Sequence, residues 1–330
     1  NASSHLWVVS SELALPHFLM LGPSSRLRTQ AHRNGKSSNG HPKEMHPSIL
    51  ALLNEAKSGE TAEAVVRRKC REMVARAKAK GWNGPPFDPE ILASLHGIKV
   101  ESTDDPMVQE GRIFPRRGEI VVQYRNGRLI ERQRFTICHE LAHTCFPDVF
   151  EYHRQRTPGK NADDLDKEFE MLCDIGAAEL LMPHEDFLSE LNNSQVCLVK
   201  TDVLRSRFIA SIDATLRRVI GLTSYPCAAV FLTDSAFKDF PAVPGQMRIK
   251  FFWKTGTFKR FLPPGTLAPD GSSVLKAPHK APDNFSPANE TWLIDGKPQK
   301  WLVEALKLPP VQENNDYPKV VALFHNFPSN

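Results

Sequence analysis

The residues of this chain with the clearest capacity for chemistry are His139, Glu140 and His143, which lie in Arg132-Gln-Arg-Phe-Thr-Ile-Cys-His-Glu-Leu-Ala-His-Thr-Cys-Phe146. Nothing within this segment breaks a helix, and Pro147 follows it. In a helix the two histidines would lie about 40° apart around the axis and about 6 Å apart along it. Both imidazoles can therefore reach one ion.

Two imidazoles one turn apart suit zinc, and a catalytic zinc has three protein ligands with a fourth position open to water. Glu140 follows the first histidine and would accept a proton from that water. The alternative is a pair of solvated histidines on a surface helix. The small and apolar residues on the other side of the helix indicate instead that it packs against a core: Phe135, Cys138, Leu141, Ala142 and Cys145.

The third ligand is sought on a second predicted helix, from Asp163 to Met182. Its acidic candidates are Glu168, Glu170, Asp174 and Glu179. Glu170 and Asp174 lie one turn apart, beside a face of small and apolar residues. Glu170 can therefore ligate the metal while Asp174 accepts the outer ring N–H of a ligand histidine. The spacing alone leaves solvated carboxylates as an equal alternative.

Three segments, in this order, resemble signatures of the ImmA/IrrE metallopeptidases: Gly84-Pro-Pro-Phe-Asp-Pro89, Arg134-Phe-Thr-Ile-Cys-His-Glu-Leu-Ala-His143 and Glu170-Met-Leu-Cys-Asp-Ile-Gly-Ala-Ala-Glu-Leu-Leu-Met-Pro183. The resemblance extends from about Trp82 to Pro183. One departure is Cys138, where alanine is more usual. Cys138 is expected to pack as a small hydrophobic residue, although a thiol beside a metal would make the site sensitive to oxidation.

The resemblance implies a zinc-dependent endopeptidase with one Zn²⁺ per chain. It implies that His139, His143 and Glu170 bind the zinc and that Glu140 is the general base. The spacing of Glu170 and Asp174 also resembles the E-x-x-x-D element of thermolysin-like peptidases, in which the aspartate supports a ligand histidine. Asp174 is expected to have that supporting role.

The resemblance further implies a protein substrate, a helix-turn-helix repressor in a stress-response or mobile-element circuit. The alternative is a zinc-binding transcriptional regulator that acts by protein or DNA binding without proteolysis. An intact Glu140 argues against this alternative, because a structural zinc site does not need an adjacent base. A general peptidase that acts on unfolded chains is a second alternative.

Residues Leu204 to Val219 have the pattern of a helix, a short turn and a second helix capped by Ser211, which resembles a helix-turn-helix. It is expected to pack or to hold a repressor. Nucleic-acid binding is a weaker expectation, because only four basic residues lie here: Arg205, Arg207, Arg217 and Arg218.

Tyr152 and His153 follow the helix of His139 and His143 and are candidate donors of a hydrogen bond to a tetrahedral oxyanion. An exposed loop without a role in catalysis is the alternative for both residues.

Composition is typical of a globular protein, with 41% hydrophobic and 24% charged residues among 330. A net charge of +4 is too small to make nucleic-acid binding the main task. The six cysteines are scattered without a C-x-x-C pair, which indicates reduced thiols and a cytoplasmic location. No apolar run is long enough to span a membrane.

The pattern of helices and strands predicted around these residues indicates an α+β fold. Residues 1–44 are predicted to be a disordered tail. Residues 45–195 form a small zincin-like peptidase domain, with a helical stretch from Pro47 to Lys80, a capped helix after Asp88 and three strands. Residues 196–222 form the helix-turn-helix-like connector. Residues 223–330 form a β-containing domain that senses or docks a partner, with strands at Pro226 to Thr233, Gln246 to Trp253 and Lys319 to Phe327.

Overall fold

The structure, a computed structural model, describes residues 45–152, 162–192, 196–279, 286–309 and 318–326. These residues divide into two compact units. The first contains 45–187 together with Phe208–Ala210, and the second contains 188–207 and the residues from Ser211 onward. The predicted disordered tail, residues 1–44, lies outside the described residues. The predicted domain boundaries at 195 and 222 stay predictions.

Five described helices of the first unit form where the sequence predicts a helix, whereas those at residues 149–152 and 184–191 were not predicted. The helices of this unit are α1 Pro47–Leu53, α2 Ala62–Ala79, α3 Pro89–Leu95, α4 Ile130–His143, α5 Val149–Tyr152 and α6 Ala162–Leu181, with α7 His184–Leu191 crossing into the second unit. The predicted helical stretch from Pro47 to Lys80 is two helices. Gly59, at φ 79°, turns the chain between them, and the Thr61 side chain caps α2 by accepting a hydrogen bond from the Ala64 N–H.

The entry to α3 confirms the predicted cap. The Asp88 carboxylate accepts hydrogen bonds from the N–H groups of Glu90 and Ile91, and Pro89 occupies the first helical position. Just before it, the buried ring of Phe87 packs 4.7 Å from Trp82 and 6.3 Å from Phe208. The capped helix is therefore anchored in the core.

Three strands of the first unit form a sheet: β1 Ile98–Thr103, β2 Gly111–Arg116 and β3 Glu119–Arg125. The order is β1-β3-β2, with β3 parallel to β1 and antiparallel to β2. Val121 and Val122 of the central strand are fully buried. Helix α4 packs against β2 and β3 on one side and against α6 on another. The sheet and α6 thus fix the position of α4.

The second unit contains α8 Leu198–Phe208 and α9 Ile212–Leu222, except that Phe208, the last residue of α8, belongs to the first unit. The predicted cap at Ser211 is present, because its hydroxyl oxygen accepts a hydrogen bond from the Ala214 N–H at 3.1 Å. Ile209, at φ 50°, lies in the turn between the helices. The helix–turn–helix connectivity predicted for this segment is therefore observed.

A five-stranded antiparallel sheet completes the second unit. Its strands are β4 Cys227–Thr233, β5 Arg248–Lys254, β6 Ala288–Ile294, β7 Lys297–Lys307 and β8 Val320–Asn326, in the order β5-β4-β8-β7-β6. The three predicted strands correspond to β4, β5 and β8. The sequence analysis missed β6 and β7. One face buries a core that includes Val230, Trp292, Trp301 and Phe324.

Helices and two separate sheets make the fold α+β, as predicted. All six cysteines are free thiols, and five of them are buried. Within the described ranges, no helix combines the length and the apolar character needed to cross a membrane.

Candidate active site

The residues predicted to carry the chemistry lie inside the first unit rather than on its surface. His139 and Glu140 have no exposed surface, and His143 is 1% exposed. On the packed side of α4, Ile137, Cys138, Leu141 and Ala142 are also buried. This burial contradicts the alternative of two solvated histidines on a surface helix.

The side chains of His139, His143 and Glu170 converge on one point. The Nε2 atoms of the two histidines are 3.2 Å apart. The Oε2 atom of Glu170 lies 3.0 Å from Nε2 of His139 and 3.9 Å from Nε2 of His143. Among the described residues, these three form the one group of potential ligands close enough together to hold a metal ion.

These distances fit a metal ion between the three atoms. Ligands that lie 2.0–2.1 Å from a tetrahedral zinc are about 3.3 Å apart from one another. The donor set of two imidazoles and one carboxylate is also one that zinc accepts in catalytic sites. Glu170 is 35% exposed, whereas both histidines are buried, so the group is reached from the side of Glu170.

The outer nitrogen of His139 is also engaged. Its Nδ1 atom lies 3.0 Å from Oδ1 of Asp174, one turn after Glu170 on α6. Burial lowers the pKa of His139, but the hydrogen bonds to Asp174 and Glu170 outweigh burial and hold this pKa well above its ordinary value. A metal ligand must be the neutral ring, in which Asp174 accepts the Nδ1–H proton and Nε2 presents its lone pair toward the point where the three side chains meet.

Glu140 is placed differently from the other carboxylates. Both of its oxygens are buried, and neither has a hydrogen-bond partner among the described residues. Burial raises the pKa of Glu140 to about 8, with His139 opposing this rise and Glu170 adding to it. A buried carboxylate without a partner is costly, so this group is maintained for a reason other than stability.

Gly111 at the start of β2 makes room for the Glu140 carboxylate. A Cβ atom at Gly111 would lie 2.4 Å from Cγ2 of Thr136 and 3.0 Å from Oε1 of Glu140. Any side chain at this position would therefore press on Glu140 and on the turn of α4 that precedes it.

Comparison with known proteins agrees with this geometry. Residues 93–219 match the Peptidase_M78 family, described as the IrrE N-terminal-like domain. This match covers less than half of the chain. The resemblance to the ImmA/IrrE metallopeptidases predicted from the sequence is thereby confirmed. The match includes α4 and α6, which carry the three converging side chains, and it ends within α9.

One curated protein to which this chain is similar is the radiation response metalloprotease IrrE of Deinococcus deserti. It is 31% identical over 126 residues, which are 38% of this chain and 43% of that protein. The chain thus matches less than half of the relative's length. A solved structure, a Mycobacterium tuberculosis transcriptional regulator, is 17% identical with a TM-score of 0.48, covering 79% of this chain and 87% of that one.

Glu168 and Glu179, two other acidic candidates on α6, do not take part in the group of His139, His143 and Glu170. Glu179 is fully buried and accepts a hydrogen bond from Nη1 of Arg67 at 2.6 Å, with Arg71 3.4 Å away. It links α6 to α2. Glu168 does not join the group of His139, His143 and Glu170. Of the four candidates, the structure therefore brings Glu170 to the Nε2 atoms of both histidines and Asp174 to Nδ1 of His139.

Sequence reasoning missed the contact made by Cys173. Its sulfur lies 3.4 Å from Nδ1 of His143, and both side chains are buried. The sequence analysis placed Cys173 only on the apolar face of its helix. Its position directly before Asp174 could have predicted this contact, since consecutive residues of α6 can reach two neighbouring histidines of α4.

One further prediction concerns Tyr152 and His153, which lie at the limit of the described chain. The backbone of Tyr152 ends α5, but its side chain lies outside the described part, as does all of His153. Their suggested role as donors of a hydrogen bond to an oxyanion stays a prediction.

Cys138 is 1% exposed, and burial raises the pKa of its thiol to about 12, as expected for a packed small residue.

Proposed function

We propose that this chain is a zinc-dependent endopeptidase that holds one Zn²⁺ through His139, His143 and Glu170. The observation that carries the proposal is Glu140, a fully buried carboxylate without a partner among the described residues, directly adjacent to a metal ligand. A structural zinc site is closed by four protein ligands and has no use for such a group. A hydrolytic site needs a base at this position.

When bound, zinc lowers the pKa of a coordinated water toward 7 and polarises a carbonyl oxygen. Glu140 accepts the proton of the attacking water and later delivers it to the leaving amine. Burial raises the pKa of Glu140 to about 8, and a bound cation would lower this pKa, which favours the ionised carboxylate that accepts the proton. Asp174 fixes the orientation and the tautomer of His139.

The proposed substrate is a helix-turn-helix repressor within a stress-response or mobile-element circuit. The support is the relation to the ImmA/IrrE metallopeptidases, together with a relative whose name links it to the radiation response. A cytoplasmic location belongs to the same proposal and is supported by six free cysteines.

The basic residues of α8 and α9 favour a protein partner over DNA. Arg205 pairs with Asp202, and Arg207 pairs with Glu190 at 2.8 Å. The two arginines of α9 are also engaged or covered, since Arg217 lies over the ring of Trp253 and Arg218 is 4% exposed. DNA binding needs a clustered, accessible basic face for phosphate contacts.

The direct test is to incubate the zinc-loaded chain with the helix-turn-helix repressor encoded nearest to its gene and to look for one cut by intact-mass spectrometry. Unfolded β-casein serves as a second substrate. A single cut in the repressor with intact casein supports the proposal. Cleavage of casein at many positions supports the general peptidase instead, and no cleavage of either protein by the zinc-loaded chain would contradict the proposed activity.

A further inference from the structure

We propose that Cys173 is a positioning residue, which orients His143 and fixes the tautomer in which Nε2 is free to bind zinc. The inference rests on the proposed metal site. In this proposal Cys173 orients the ring of His143 in the way that Asp174 orients the ring of His139. Zinc-ligating histidines usually donate their outer N–H to an acceptor that fixes the ring. In this chain one atom within reach of Nδ1 of His143 is the sulfur of Cys173.

The geometry determines which nitrogen of His143 carries the proton. Nε2 faces Nε2 of His139 at 3.2 Å and Glu170 at 3.9 Å, so this is the atom that meets the metal. A nitrogen that ligates zinc has no proton, and the neutral ring then carries its hydrogen on Nδ1. Nδ1 lies 3.4 Å from the sulfur of Cys173 and can donate that hydrogen to it.

The two supporting contacts come from consecutive residues of α6. Cys173 meets His143, and Asp174 meets His139, while Glu170 one turn earlier completes the group. A single helix thus supplies the third ligand and an acceptor for each histidine. The acceptors differ in their chemistry, because Asp174 offers a carboxylate oxygen whereas Cys173 offers a buried sulfur.

The chain offers a matched control for a buried cysteine. Cys70 on α2 is also fully buried, but its sulfur meets the sulfur of Cys145, 3.6 Å away. Cys70→Ala removes the same side chain from the same core. Its effect on zinc affinity measures what the loss of a buried thiol does through packing alone.

The experiment measures the dissociation constant of zinc by competition with a chromogenic chelator in the full chain. Cys173→Ala and Cys173→Val should weaken zinc binding by roughly 10 to 100-fold. Cys70→Ala should stay within about twofold of the unaltered chain, since the sulfur of Cys70 meets Cys145 rather than one of the three ligands. The tautomer is read separately, from the ¹⁵N shifts of His143 in the zinc-loaded protein.

A fourth variant separates orientation from packing. Cys173→Ser keeps an acceptor for Nδ1–H but buries a hydroxyl, whereas Cys173→Val fills the space without an acceptor. Positioning predicts that the serine variant binds zinc more tightly than the valine variant although it is less stable to heat. Packing alone predicts that zinc affinity follows thermal stability, and that order would overturn the inference.

The metal site itself is tested in the same titration by His139→Ala. If this variant keeps wild-type zinc affinity, the proposed metal site fails. If His139→Ala loses zinc while Cys173→Ala and Cys173→Val match Cys70→Ala, the metal site stands and only the role of Cys173 is rejected.

Discussion

A Cβ atom placed on Gly176 of α6 would lie only 2.6 Å from the Cβ of Ala142 on α4. Real side chains do not approach so closely, so the two helices come together because position 176 has no side chain. Cys70 and Val66 of α2 lie 3.2 Å from the same point. This close approach allows Glu170 and Asp174 to reach the histidines of α4.

We expect Gly176→Ala to push α4 and α6 apart, to destabilise the protein by about 1–3 kcal/mol and to weaken zinc binding. Gly221→Ala is the control, because Gly221 also lies in a helix but has no atom within 4 Å of an added Cβ. The control should be neutral or more stable by up to about 1 kcal/mol. Thermal unfolding and zinc titration measure the stability and the zinc affinity of both variants. Equal stability of the two variants would refute the tight contact.

Glu170→Ala should lose zinc, because two histidines alone do not complete a catalytic site. Glu179→Gln is the informative comparison. It removes the charge that pairs with Arg67 inside the protein and should cost up to about 3 kcal/mol of stability, yet the folded variant should keep its zinc. Elemental analysis of the two purified proteins measures this. Stoichiometric zinc in Glu170→Ala would reject the proposed ligand.

Asp174→Ala is expected to weaken zinc affinity by roughly 10 to 100-fold while the fold is retained, because His139 loses the acceptor that fixes its ring. Glu185→Ala removes a carboxylate that is 88% exposed and should leave zinc affinity unchanged. Chelator competition and circular dichroism together test the claim. Wild-type affinity in Asp174→Ala would remove this residue from the site.

Residues 1–44 are predicted to be dispensable, since they lack the apolar pattern that offsets the entropy of ordering a chain. The described fold begins with its own core contacts, because His46, Ile49 and Leu52 are all buried. A truncated chain that starts at Met45 should therefore unfold at the same temperature as the full chain and bind the same zinc. A lower unfolding temperature or a loss of zinc binding would show that the tail contributes to the fold.

The chemistry could be predicted because it depends on short-range spacing. The distance between His139 and His143 follows from one helical turn, and so does that between Glu170 and Asp174. Which acidic residue faces the histidines depends on how α4 packs against α6. The sequence analysis did not foresee the role of Gly176 in that packing, nor the contact from Cys173 to His143, because both depend on residues distant in the chain.

The hairpin of β6 and β7 was missed for a related reason. Strand pairing is non-local, and β7 has a polar start at Lys297 to Lys300, with mostly buried side chains only from Trp301 onward. A local signal was nevertheless present. Asp295 and Gly296, at φ 50° and 72°, form the two-residue Asp-Gly turn that is typical of tight hairpins. That dipeptide between two short strands would have predicted the pair.

The central claim is that Glu140 is the base of a peptidase, and Glu140→Gln tests it most directly. Glutamine keeps the size of the side chain but cannot accept a proton at neutral pH, while His139, His143 and Glu170 remain in place. We predict that the variant binds one zinc and the partner repressor as the unaltered chain does, yet cleaves the repressor at least about 10²-fold more slowly. Undiminished cleavage by the variant would contradict the role of Glu140. Undiminished relief of repression in cells would instead show that the chain acts by binding, without proteolysis.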